Sequence, residues 1–131
     1  RPSLETRLHL GLYAACPSCG AILHTHPVWM QALEQRLHGT RLADSMLNLN
    51  LTEADYWRER IAVASEHAPG SPELAEDAVD ALKRRWGEHP HLPCAIWLSG
   101  HGLCAMGENI DSCLGISEQL EHIAQVQWAA L

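Results

Sequence analysis

Two short apolar runs, each leading into histidine, constrain this chain more than any other feature. The first is Ala21-Ile22-Leu23-His24-Thr25-His26-Pro27; the second is Cys94-Ala95-Ile96-Trp97-Leu98, followed by Ser99-Gly100-His101-Gly102. Residues two apart on a β-strand point to the same side, so His24 and His26 can turn their imidazoles toward one divalent cation. Alone, such a pair serves equally well as hydrogen-bonded core or surface histidines. A second strand end that brings a third histidine completes the ligand set of an open, catalytic metal site.

Composition narrows the class. A chain of 131 residues is long enough to bury one core and too short for two, so residues 1–131 are expected to form a single domain. An apolar fraction of 47% argues against disorder. The formal net charge of -7 argues against a nucleic-acid partner, because phosphate binding needs basic patches. No apolar run approaches the ~20 residues that span a bilayer, so no membrane partner is expected. The five cysteines, Cys16, Cys19, Cys94, Cys104 and Cys113, are odd in number and no signal-peptide pattern precedes them. They predict reduced thiols and a cytoplasmic location.

Local patterns give the elements. Ser3 is placed to cap a helix over residues 4–15, with Glu5 in its first turn and Leu8, Leu12 and Ala15 as its apolar stripe. Cys16-Pro17-Ser18-Cys19-Gly20 stops that helix and leads into a strand over 21–26. Helical spacing resumes over 28–38 at Trp29, Ala32, Leu33 and Leu37. Met46-Leu47-Asn48-Leu49-Asn50-Leu51 alternates apolar and polar residues, which predicts a strand. Thr52-Glu53-Ala54-Asp55 opens a helical turn, and residues 61–64 read as a short strand. Ser71 and Pro72 start a helix that runs to Trp86. Strands follow at 94–98 and 103–106, across a turn that Gly100 and Gly102 allow to be tight. A final helix covers 111–130, with Ile116, Leu120, Ile123, Ala124 and Gln127 facing inward. This alternation predicts an α/β layered domain and leaves the strand directions open.

Glu5, His9 and Tyr13, ahead of Ala21-Ile22-Leu23-His24-Thr25-His26-Pro27, resemble the class II aldolase/adducin family, in which an acidic residue precedes the H-x-H pair by about nineteen positions. The resemblance continues through Ala68-Pro69-Gly70-Ser71-Pro72-Glu73-Leu74-Ala75, Leu98-Ser99-Gly100-His101-Gly102, Gly107 and the helix of Glu118 and Glu121; residues 38–60 are its weak part. It implies a three-layer α-β-α domain with a central mixed or mainly antiparallel sheet. It implies Zn²⁺, or another divalent metal, on His24, His26 and His101. Glu5 would be a fourth ligand at rest or the acid/base group, and Ser3 a substrate contact.

The implied activity is that of a zinc-dependent lyase. It would cleave a small, phosphorylated hydroxy-carbonyl compound by retro-aldol chemistry through a metal-bound enediolate. Related branches decarboxylate, epimerise or dehydrate such compounds. Adducin-like heads are non-catalytic scaffolds, but they lose metal ligands that this chain keeps. Family members are commonly tetramers, so a homo-oligomer is expected.

Departures accompany the likeness. Members usually have a further N-terminal segment carrying much of the phosphate-binding loop, which is absent ahead of Arg1-Pro2-Ser3. Leu4 stands where many sugar-phosphate members have a second hydroxyl, and Pro2-Ser3-Leu4-Glu5-Thr6 looks closer to the rhamnulose-phosphate-aldolase-like branch than to the fuculose-phosphate one. No catalytic tyrosine aligns in the 40–60 region. His9 is read as a packing or supporting residue, and His89 and His91 as solvated loop residues. Cys16 and Cys19 read as incidental thiols of a turn, since no second C-x-x-C pair exists to complete a zinc module.

Overall fold

The computed structural model describes residues 1–37 and 42–131. The elements run α1 (Thr6–Ala15), β1 (Ala21–Thr25), α2 (Val28–Arg36), α3 (Leu42–Leu47), α4 (Thr52–Trp57), β2 (Ile61–Ala64), α5 (Pro72–Trp86), β3 (Cys94–Leu98), β4 (Gly102–Gly107) and α6 (Ile110–Ala130). The strands form one sheet in the order β1-β4-β3-β2. β4 pairs antiparallel with both β1 and β3, while β2 runs parallel to β3. The sheet is therefore mixed and mainly antiparallel. Its one parallel pair is the one connected through a helix, as a parallel crossover requires.

Alternation along the strands divides the core between two faces. Ile22, Ala62, Ala64, Ile96, Leu98, Cys104 and Met106 pack against Leu8 and Leu12 of α1 and Leu74, Ala78 and Leu82 of α5. Ala95, Trp97, Leu103 and Ala105 face Met30, Leu33, Met46, Trp57, Ile116, Leu120 and Ile123 from α2, α3, α4 and α6. Helices thus cover both sides, which gives the three layers. It also explains why β3 and β4 are buried along their whole length and read as unbroken apolar runs.

The caps are chemically specific. Ser71 Oγ accepts from Leu74 N at the start of α5, and Asn109 Oδ1 accepts from Ser112 N at the start of α6. At α1 the expectation needs correcting. Ser3 Oγ accepts from Glu5 N and the Ser3 carbonyl from Thr6 N, closing a turn before the helix. The helix proper starts at Thr6, which leaves Glu5 at the N-cap position and not in the first turn.

A second correction falls on Met46–Leu51, which is not a strand. Leu42, Ala43, Met46 and Leu47 are all buried on one side of α3. Their i, i+1, i+4, i+5 spacing is helical, and the apparent alternation begins only where that helix ends. In α2 the fully buried residues are Met30 and Leu33, while Trp29 and Leu37 are partly buried against the same core. Residue 38, the expected end of that helix, lies outside the described residues. On the open edge of β1, the Ile22 N–H donates to the Tyr13 hydroxyl (3.0 Å), so α1 covers part of that edge. No helix among the described residues is long and apolar enough to cross a membrane.

Candidate metal centre

The end of β1 and the start of β4 lie side by side, Thr25 opposite Leu103, and this register brings the histidines together. The ring centroids of His24, His26 and His101 are 4.9 to 5.1 Å apart, pairwise near perpendicular. One ligand nitrogen from each falls within 4.8 Å of the other two. His24 Nε2 and His26 Nε2 are 3.2 Å apart, close to the ~3.3 Å separation of two nitrogens on one tetrahedral zinc. Among the described residues this is the one group of three or more histidine, cysteine or acidic side chains so arranged.

Two glycines make the approach possible. Gly100 takes φ +68, a left-handed conformation that favours glycine. A Cβ on Gly102 would collide with the Thr25 carbonyl oxygen and lie 2.7 Å from His26 Cδ2. The neighbouring strand end therefore sits where a side chain would otherwise be.

The surroundings tune the cluster. His24 Nδ1 donates to the Leu103 carbonyl (3.0 Å), which fixes the proton on Nδ1 and leaves the Nε2 lone pair for a cation. Burial lowers the His24 pKa, the bond to Leu103 works against that, and the neighbouring His101 and His26 lower it further. The neutral, ligating form is thereby favoured. Burial pushes the Cys104 thiol, 3.8 Å from His24 Nδ1, up to about 12, so it stays protonated beside the ring.

Glu5 is buried, with Oε1 3.8 Å from His101 Nε2. Glu5 Oε2 and His101 Nδ1 are buried without a hydrogen-bond partner. Buried polar atoms normally have partners. These two, with three imidazoles turned to a common point, suit a divalent cation; the residues fit the group.

The structure brings His24, His26, His101 and Glu5 together. Ser3 is exposed and lines a cavity with Arg1, Leu4, Arg7 and Gly70. His9 is half-buried and outside the cluster, and Cys16 and Cys19 are free thiols in the apolar core. Of three polar residues that shape the site, Gln31 and Glu34 carry no local signal, and Glu121 entered only through the family likeness. Glu121 of α6 accepts from Trp29 N and Met30 N, both 3.0 Å, at the start of α2. Gln31 and Glu34 of α2 bond the turn that bears His101. Their partners lie 66 to 92 residues away, beyond any pattern of spacing.

The sequence profile described as Class II Aldolase and Adducin N-terminal domain matches residues 1–128. The chain belongs to this family. Two curated relatives of this class II aldolase-family chain carry different names. A methylthioribulose-1-phosphate dehydratase of Sodalis glossinidius is 32% identical over 136 residues, covering 98% of this chain and 63% of the relative. An L-fuculose phosphate aldolase of Methanococcus maripaludis is 29% identical over 128 residues, covering 98% and 61%. The chain thus spans somewhat under two thirds of the length of either. A sugar-phosphate aldolase from Thermotoga maritima superposes with a TM-score of 0.79 at 23% identity, over 98% of this chain and 54% of that one. At that identity it shows the shared fold.

Proposed function

We propose that this class II aldolase-family chain carries the metal and acid/base half of a lyase site acting on a small phosphorylated hydroxy-carbonyl compound. The observation that carries the reading is the convergence of His24, His26 and His101 with the buried Glu5 carboxylate. Zn²⁺ suits an all-imidazole donor set, and when bound it supplies a Lewis acid for substrate oxygens. His24, His26 and His101 would hold it. Glu5 would hold and move the proton at the substrate carbon next to the carbonyl, its Oε2 having no hydrogen-bond partner. Glu5 is buried and His24 and His101 are partly so, which would limit water at that carbon, while exposed His26 marks the open side. Beside His26, a cavity of about 320 Å³ lies between the end of β1 and α6, with Ser117, Glu118 and His122 in its wall. Ser3, with Arg1 and Arg7 in the same cavity wall, suits a phosphate.

Retro-aldol cleavage is the leading reaction. Dehydration of a ketose phosphate is the second, favoured by the dehydratase relative at 32% identity. Cleavage ends with a proton delivered to the carbon next to the carbonyl and dehydration begins with one removed from it, so one acid/base group at that carbon would serve either. The purified protein should contain about one zinc per chain, and His24→Ala should remove it. Incubation with ketose 1-phosphates then separates the reactions: cleavage releases two carbonyl fragments, whereas dehydration leaves one product lighter by a water. Full zinc content in the His24→Ala chain would overturn the site.

A further inference from the structure

α2 begins two residues after His26, so it is rigidly continuous with the strand end that carries two of the three rings. Its side chains then reach across to the turn that carries the third. Gln31 Nε2 donates to the His101 carbonyl (2.9 Å). One turn further along the same face, Glu34 Oε1 accepts from Gly100 N (2.7 Å) and Glu34 Oε2 accepts from Trp97 Nε1. Within the turn itself, His101 N donates to the Leu98 carbonyl (2.9 Å). That bond shapes the turn without placing it relative to β1. The β1–β4 register sets its approach to the other two rings, and α2 adds a second anchor from the opposite end of the turn.

We propose that Glu34 is a positioning residue of the histidine cluster: its carboxylate spans Trp97 and Gly100 and sets where His101 stands relative to His24 and His26. The inference rests on the metal reading above and adds a residue that the ligand set does not contain.

The chemistry asks for a carboxylate. Two N–H donors from different parts of β3 and its turn converge on one side chain, and each takes a separate oxygen. A carboxylate accepts at both ends, whereas a glutamine amide offers one acceptor and one NH₂ donor. In Glu34→Gln, therefore, either Gly100 N or Trp97 Nε1 faces another N–H. The turn shifts to relieve that contact, and His101 moves with it. If Trp97→Phe removes the indole donor, a single donor remains, and the one oxygen of glutamine can satisfy it.

The test is Zn²⁺ affinity by chelator competition, with the visible spectrum of the Co²⁺-loaded protein as a report on ligand geometry. It compares wild type, Glu34→Gln, Trp97→Phe and the double variant, with apo-protein unfolding followed in parallel. Changes to groups that orient metal ligands cost about 10- to 100-fold in affinity. Glu34→Gln is expected to lose at least about tenfold and to alter the Co²⁺ spectrum. The double variant should return to the affinity and spectrum of Trp97→Phe, whose own packing loss is thereby accounted for. Wild-type affinity with an unchanged spectrum in Glu34→Gln would overturn the proposal. So would a loss that Trp97→Phe leaves in place, because general destabilisation has no reason to be rescued by removing a core indole. A wild-type chain that binds neither ion overturns the metal reading itself, an outcome distinct from both.

Discussion

Glu5 Oε1 and His101 Nε2 face each other at 3.8 Å, two side chains only 11% and 9% exposed that join the start of α1 to the start of β4. This contact ties an acidic group to the cluster from the opposite side of the sheet to α2. If Glu5 moves a substrate proton, Glu5→Gln should lower kcat by about 10²- to 10⁴-fold while zinc stays bound to the three imidazoles. Steady-state kinetics beside metal analysis checks this. Unchanged kcat would reduce Glu5 to a helix-end carboxylate.

Gly102→Ala puts a methyl group against the Thr25 carbonyl and the His26 ring, contacts made by backbone and by a candidate ligand. Neither can withdraw without parting β1 from β4. Overpacking of this kind costs about 1–3 kcal/mol, and zinc stoichiometry should fall as well. Gly115→Ala in α6 is the control: its added Cβ meets nothing within 4 Å, and alanine gains about 1 kcal/mol over glycine in a helix. Thermal unfolding and metal analysis of the two variants should move apart.

What the sequence revealed and what it hid divide along a physical line. His24, His26 and His101 were legible because each stands at the end of a strand whose apolar run is itself a local signal, and Gly100 and Gly102 marked the turn. Ser71 was legible as a helix-starting residue for the same reason. Met46–Leu51 was misread because its leucines satisfy a strand alternation only from Met46 onward, whereas Leu42 and Ala43 already define a helical face. Glu34 and Gln31 look like ordinary solvated helix residues in the sequence, and Glu121 entered only as part of the family likeness. Their roles depend on which layer each helix joins, and that is decided by the whole core.

Glu121 is the clearest of these. Pro27 sits at the N-cap of α2 and makes no side-chain cap bond, so the N–H groups of Trp29 and Met30 depend on the Glu121 carboxylate. Glu121→Ala should cost about 1–3 kcal/mol in urea unfolding, the scale for stranding buried donors. Zinc affinity should weaken too, because Gln31 and Glu34 are mounted on the helix that loses its cap. Unaltered affinity alongside lost stability would separate the cap from the cluster.

Asp77 of α5 anchors the segment that leaves β2. Its Oδ2 accepts from Ser65 N (2.8 Å) and lies 2.9 Å from His67 Nε2, while Arg84 stands 3.6 Å from Oδ1. Burial acts to raise the Asp77 pKa, but the bonds from His67 and Ser65, with the charges of His67 and Arg84, outweigh it and hold the carboxyl below its ordinary 3.8. In the unfolded chain these partners disperse and the group titrates near its ordinary value. A pKa lower in the folded state contributes stability that is complete above the unfolded value and drains away as pH falls through the folded one. The stability gap between wild type and Asp77→Asn should therefore be present at about pH 5 and shrink below about 4. Urea unfolding of both proteins across that range measures it. A gap that persists unchanged at pH 3 would show that the asparagine variant loses packing at this position and not a charge.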